Sequence, residues 1–84
     1  MFVVYALYSP DFQKIYIGFT SNLQERLKSH NELATKGWTI RFRPWTLVHM
    51  ESLPSKAEAM VREKQLKSAA GRQFIWSKIN PNND

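Results

Sequence analysis

The chain opens on an almost unbroken apolar run, Phe2 to Leu7, which ends at Ser9-Pro10-Asp11 and is answered by the alternating stretch Lys14-Ile15-Tyr16-Ile17-Gly18-Phe19. β-Branched and aromatic residues in period two, interrupted by a turn-like Pro10 to Gln13, predict a β-hairpin. With that loop, Ser9 faces Lys14, Leu7 faces Tyr16 and Tyr5 faces Gly18. Cross-strand partners share a face, so Tyr5, Tyr16 and Lys14 project to one side, with the tyrosines as diagonal neighbours. Gly18 leaves room there for the Tyr5 ring. The second strand runs straight into a helix: Asn22 followed by Glu25 is a capping-box pattern, which starts the helix near Leu23. Leu23 and Leu27 form its buried stripe, while Arg26 and His30 lie one turn apart on another face.

Asn31 to Pro44 has no clean period. Trp45 to Leu53 reads as a third strand around Leu47, Val48 and Met50, with Pro44 at its entrance, where a missing donor is tolerated. Ser55 and Glu58 repeat the capping-box pattern, and the spacing predicts a helix from Lys56 to about Ser68. A last short helix follows over Ala69 to Ile79, with Phe74, Ile75, Trp76 and Ile79 as packing residues and Gly71 as a candidate break. The order β-β-α-β-α-α predicts an α+β fold, a three-stranded antiparallel β-sheet with helices packed on it. One domain is expected over residues 1–79, with 80–84 as a polar C-terminal tail.

Size narrows the function. A chain of 84 residues buries about 60% of the surface its unfolded form exposes, so a deep pocket is not expected and an open groove suits a polymer better than a small ligand. No run approaches the roughly 20 apolar residues of a membrane helix, and no signal-peptide pattern opens the chain. Cysteine is absent, which removes disulfides and thiolate metal sites and suits a reducing compartment. These features predict a cytoplasmic protein without a membrane partner, as a monomer or weak dimer. The net charge of +5 favours polyanions, of which nucleic acid is the most abundant.

The polar residues supply candidates. Lys36, Arg41 and Arg43 interleave with Trp38 and Phe42, the mixture a nucleic-acid-facing loop uses for phosphates and bases; the aromatics serve equally well as the loop's own small core. Lys14 adds a cation on the tyrosine face. His49, within the third strand, reads as a structural histidine without a second histidine at metal-binding spacing. Glu63 falls between Ala59 and Met60 on its helical wheel, beside the arc carrying Leu66. A carboxylate there needs a cation or donor, either a metal or an arginine such as Arg26.

The run from Ile15 to His30 resembles the strand-to-helix segment of the GIY-YIG nucleases, in particular their short, single-domain bacterial members. Tyr16-Ile17-Gly18 is the second half of the name motif, and Thr20, Asn22, Leu23, Arg26, Leu27 and His30 continue the pattern. The first half reads Val3-Val4-Tyr5, which keeps the tyrosine and replaces the glycine and isoleucine. Glu63, in Arg62-Glu63-Lys64-Gln65-Leu66-Lys67, is similar to the family's metal-binding glutamate. The resemblance implies a GIY-YIG endonuclease-like fold and a divalent-metal-dependent endonuclease that hydrolyses DNA phosphodiester bonds, in a setting such as repair or recombination, with RNA open as a second substrate. The alternative is a catalytically inactive nucleic-acid-binding module of the same fold. The catalytic set so implied is Tyr5, Tyr16, Arg26, His30 and Glu63, with Glu63 holding Mg²⁺ or Mn²⁺; Lys14, Lys36, Trp38, Arg41 and Arg43 are the expected nucleic-acid contacts. Arg26 brings a planar fork that stays charged. A tyrosine titrates near ~10, so one that takes the proton from the attacking water needs positive neighbours. Whether Tyr5 or Tyr16 has that duty stays open. His30 either orients water or substrate, or acts as a cation near a helix C-terminus.

Overall fold

The first strand decides the architecture, because its side chains are wanted on both faces. In the computed structural model, which describes residues 1–80, β1 (Phe2–Ser9) lies between β2 (Lys14–Thr20) and β3 (Thr46–Leu53) in an antiparallel sheet of order β2-β1-β3. Val4, Tyr5, Ala6 and Leu7 are all 0% exposed, a continuous burial that only a central strand covered on both sides can have. The hairpin register pairs Tyr5 with Gly18, Leu7 with Tyr16 and Ser9 with Lys14, as the loop length predicts. Toward β3 the pairing shifts between Ala6 and Leu7, so that Val48 is an extra residue in a bulge.

The even-numbered face carries the main core. Val4 and Ala6 meet Ile15 and Ile17 from β2, Ala59 and Leu66 from α2 (Lys56–Lys67) and Ile75 from α3 (Ala69–Ile79). Each fully buried aliphatic there contributes about 1.5–3 kcal/mol. Serine caps begin both helices: Ser55 accepts from the Glu58 amide and Ser68 from the Gly71 amide. Gly71 is therefore not the break between the helices. It sits in the first turn of α3, where an added Cβ would land on the Gln65 carbonyl and the Leu66 backbone, so it lets the end of α2 pack tightly against α3, and Ser68 makes the corner. Trp76 packs edge-on to Tyr8 with ring centroids 5.7 Å apart, in the packing role expected of it.

A polar clamp ties α2 to β3. The Arg62 guanidinium donates to both oxygens of Glu51, at 2.8 and 2.9 Å, and Glu51 also meets His49 Nε2 at 2.6 Å. Arg62's hydrogen bonds hold the Glu51 pKa below its ordinary value, so this contribution to stability is present above about 4.5 and is lost as pH falls through the folded value. His49 is structural, as expected, yet only half satisfied, since its Nδ1 is buried without a partner among the described residues.

The odd-numbered face is covered by the segment between β2 and β3. There α1 (Leu23–Lys28) runs on into a π-turn over Ser29–Leu33, and a 3₁₀ turn follows over Trp38–Phe42. Asn22 caps α1 by accepting from the Glu25 amide, and Leu23 and Leu27 pack beside Tyr5, Leu7 and Trp45. The end of the π-turn leaves carbonyls short of helical donors, although Ser29 O still accepts from the Ala34 amide. Arg43 supplies the rest: its guanidinium donates to Ala34 O at 2.8 Å, to His30 O, and as a second donor to Ser29 O at 3.1 Å. Sequence reasoning put Arg43 on the nucleic-acid face, whereas its guanidinium is committed to closing this turn. Asn31 bonds both the amide and the carbonyl of Trp45, at 2.6 and 3.0 Å, and so fixes where β3 begins. Beyond Asn80 the expected C-terminal tail lies outside the described residues.

Candidate active site

Tyr5 and Tyr16 share the odd face, with ring centroids 6.2 Å apart. Tyr5 lies across Gly18 of the neighbouring strand: a Cβ at Gly18 would stand 2.8 Å from the Tyr5 hydroxyl and 3.1 Å from the Tyr16 ring. Since β2 is an edge strand, this directs the Tyr5 hydroxyl toward the sheet's rim. The π-turn brings His30 over the pair, 5.9 Å from the Tyr5 ring centroid and 4.8 Å from that of Tyr16. His30 Nε2 is 3.0 Å from the Tyr5 hydroxyl and His30 Nδ1 is 3.0 Å from Thr39 Oγ1. Arg26 stands beside both phenols, and the Tyr5 hydroxyl is the first cause of its raised pKa.

Enclosure sorts the two tyrosines. Burial, reinforced by Tyr16, pushes the Tyr5 pKa up to about 12 against the pull of Arg26, with the Glu63 carboxylate also raising it. Tyr5 is thus a neutral phenol, fully enclosed. Tyr16 instead lines an open cleft of about 290 Å³ with Arg26, His30, Lys36, Trp38 and Thr39.

His30 is 5% exposed, and burial lowers its pKa, helped by the positive charges of Arg26 and Arg43. It is a neutral ring in the site's interior, which removes the reading of a cation at a helix end. A lowered pKa means that the unfolded chain takes up a proton near 6.5 that the folded chain refuses, so stability declines as pH falls below that value. Melting temperatures taken from pH 7 to pH 5 should therefore fall less for His30→Gln than for the wild type; parallel curves would show that His30 is not the group responsible.

Glu63 comes from α2, on the other side of the sheet, and its charge adds a small upward push on the Tyr5 pKa. Its side chain is 21% exposed, and its ion pair is with Lys67 at 3.3 Å, not with Arg26. An i,i+4 pair with a half-exposed lysine holds it weakly. Among the described residues no group of three or more His, Cys, Asp or Glu side chains forms a cage for a metal. The donor set still fits a hard divalent ion: Mg²⁺ keeps most of its waters and needs only one or two carboxylates, and Glu63 is one that no arginine neutralises.

The loop residues divide. Trp38 is 46% exposed and packs on Phe42 at 4.7 Å, on Trp45 at 5.8 Å and nearly parallel to Tyr16 at 6.5 Å. It serves both readings made of it, as the wall of a small aromatic core and as an exposed face beside the cleft. Lys14 and Arg41 lie 5.6 and 5.8 Å from the Phe42 ring centroid, and Lys36 lines the cleft. Sequence reasoning missed Thr39, because nothing in an aperiodic loop distinguishes a hydroxyl that will meet a histidine.

Tyrosines on paired strands, Arg26 on the following helix, His30 on the π-turn that continues it and a glutamate on a later helix are the arrangement to set beside the GIY-YIG catalytic domain, a nuclease-type family. The model of the GIY-YIG catalytic domain matches residues 1–82, and the chain belongs to the GIY-YIG family. Similar proteins include a UPF0213 protein of Bacillus velezensis, 43% identical and covering 76% of this chain and 68% of the relative. A second, from Staphylococcus haemolyticus, is 36% identical over 73% of this chain and 74% of its own. A third, from the archaeon Halobacterium salinarum, is 40% identical over 69% and 75%. No helix among the described residues is long and apolar enough to cross a membrane.

Proposed function

We propose that the protein is a divalent-metal-dependent endonuclease that hydrolyses DNA phosphodiester bonds. The observation that carries this reading is the convergence of Tyr5, Tyr16, Arg26 and His30 on one face, with Glu63, on α2, near enough for its charge to act on Tyr5. Pure binding has no use for a half-buried carboxylate within electrostatic reach of a buried phenol. Arg26 clamps the nonbridging oxygens and offsets the charge that grows on them. Tyr16, open to the cleft, receives the proton of the attacking water, while Tyr5 stays protonated and fixes Arg26 and His30. Glu63 would hold Mg²⁺ or Mn²⁺, which would supply Lewis-acid stabilisation of the charge on the phosphoryl group.

The reading is tested by incubating labelled single-stranded, duplex and branched DNA with the protein, with and without Mg²⁺ or Mn²⁺. Metal-dependent cleavage of at least one substrate is expected. A folded protein that binds every substrate and cuts none would leave a nucleic-acid-binding module.

The cations make a separate forecast. Replacing Lys14, Lys36 and Arg41 together by alanine should flatten the slope of log K against log [salt] by about 0.7–0.9 for each phosphate contact removed. Arg43→Ala should instead destabilise the fold, because the His30 and Ala34 carbonyls lose the guanidinium that donates to them. An unchanged slope in the triple variant would place the DNA on another face.

A further inference from the structure

His30 is held at both ring nitrogens, and the enclosure of its partners decides which nitrogen carries the proton. Tyr5 is 0% exposed, so its O–H must find an acceptor inside the protein, and among the described residues the His30 Nε2 at 3.0 Å is the one in reach. Arg26, another neighbour of the phenol, can only donate. If Tyr5 donates to Nε2, that nitrogen bears a lone pair. A neutral imidazole has one N–H, which then sits on Nδ1 and needs an acceptor. Thr39 Oγ1, in a residue 8% exposed, lies 3.0 Å away. Trp45 Nε1 donates to the Thr39 carbonyl at 2.8 Å, which pins the residue from its backbone and leaves the hydroxyl to the histidine.

We propose that Thr39 is a positioning residue that fixes His30 as the Nδ1–H tautomer, so that Tyr5 turns its proton inward to Nε2 and its lone pairs outward to Arg26. The inference rests on the proposed nuclease site and extends it by a residue that acts through His30. The chain Thr39, His30, Tyr5 sets the direction of each hydrogen bond from its hidden end and turns the Tyr5 oxygen toward the neighbouring Arg26 guanidinium. Without the Thr39 oxygen, a buried Nδ1–H would have no partner; the ring would move its proton to Nε2, where it would face the Tyr5 O–H donor to donor.

The test reads the tautomer directly. In a two-bond ¹H–¹⁵N correlation spectrum of the labelled wild type near pH 7.5, His30 should show a protonated Nδ1 and an unprotonated Nε2. Thr39→Val, close in shape and lacking the hydroxyl, should reverse the assignment, and Thr39→Ser should restore it. On DNA, Thr39→Val should lower kcat by about 10–100-fold, the usual cost of losing a residue that orients a functional histidine, with KM within about twofold of the wild type; Thr39→Ser should recover most of the rate. A wild-type ring protonated at Nε2 overturns the proposal, even if the valine variant fails to fold. A tautomer unmoved in Thr39→Val overturns it as well, as does a loss confined to KM. The resonances need no cleavage, so an inactive protein would refute the proposed function and leave this inference to be decided by the spectrum.

Discussion

Glu63→Gln should abolish cleavage and leave DNA binding intact. The substitution keeps the shape of the side chain and removes the negative charge that a hard divalent cation requires. Loss of the several kcal/mol that a bound metal contributes to phosphoryl transfer corresponds to a fall in kcat of about 10²–10³-fold or more. Affinity for DNA, measured without metal, should hold or tighten slightly, because a carboxylate leaves a basic face. Stability should change little, since the pair with Lys67 is a weak surface contact. Thermal unfolding, binding and cleavage on one preparation separate the outcomes: a folded variant that cuts at the wild-type rate ends the metal-ligand assignment.

Gly18→Ala should cost both stability and rate. A Cβ there would stand 2.8 Å from the Tyr5 hydroxyl and 3.1 Å from the rings of both tyrosines. Tyr5 has no free space to retreat into, being fully buried against Leu7 and Trp45. Overpacking of this kind costs about 1–3 kcal/mol, and in a domain of this size each kcal/mol lowers the melting temperature by about 4–8 °C. The hydroxyl would also leave His30 and Arg26, and displacement of a catalytic constellation by about 1 Å costs about 10²-fold in rate. An alanine variant with wild-type melting and activity would show that the Tyr5 ring does not need the gap. Ala6→Gly, on the opposite face of the same strand, is a control that weakens the sheet without touching the tyrosines.

What could be read from the sequence was whatever depends on local periodicity. The hairpin register follows from an even loop and strands of period two, which together bring Tyr5, Tyr16 and Gly18 to one place. Asn22 and Ser55, each three residues before a glutamate, marked the starts of α1 and α2. The same logic put Glu63 beside a buried arc. The segment between α1 and β3 resisted, because a π-turn and a 3₁₀ turn impose no repeat on side chains. There Arg43 looked like one more surface cation, although its partners are carbonyls that exist only once the π-turn has formed. Thr39 was invisible for the same reason. Gly71 misled in a different way: glycine suggests an interruption, whereas here it answers to the crowding of two helices at a corner.

The Arg43 closure also bears on how the molecule comes apart. The segment from Ser29 to Arg43 is stitched to itself and to β3 by one guanidinium, one asparagine and a small group of aromatic rings, while the sheet and the α2/α3 layer hold a separate and more extensive core. Opening the segment exposes less apolar surface than unfolding the whole chain, so it is the lower-energy fluctuation. His30 and Thr39 leave with it. Competence is thus a property of a local equilibrium superimposed on a stable scaffold, and amide exchange in residues 29–43 reports the fraction of molecules armed at any moment, where a global melting curve reports only those still folded.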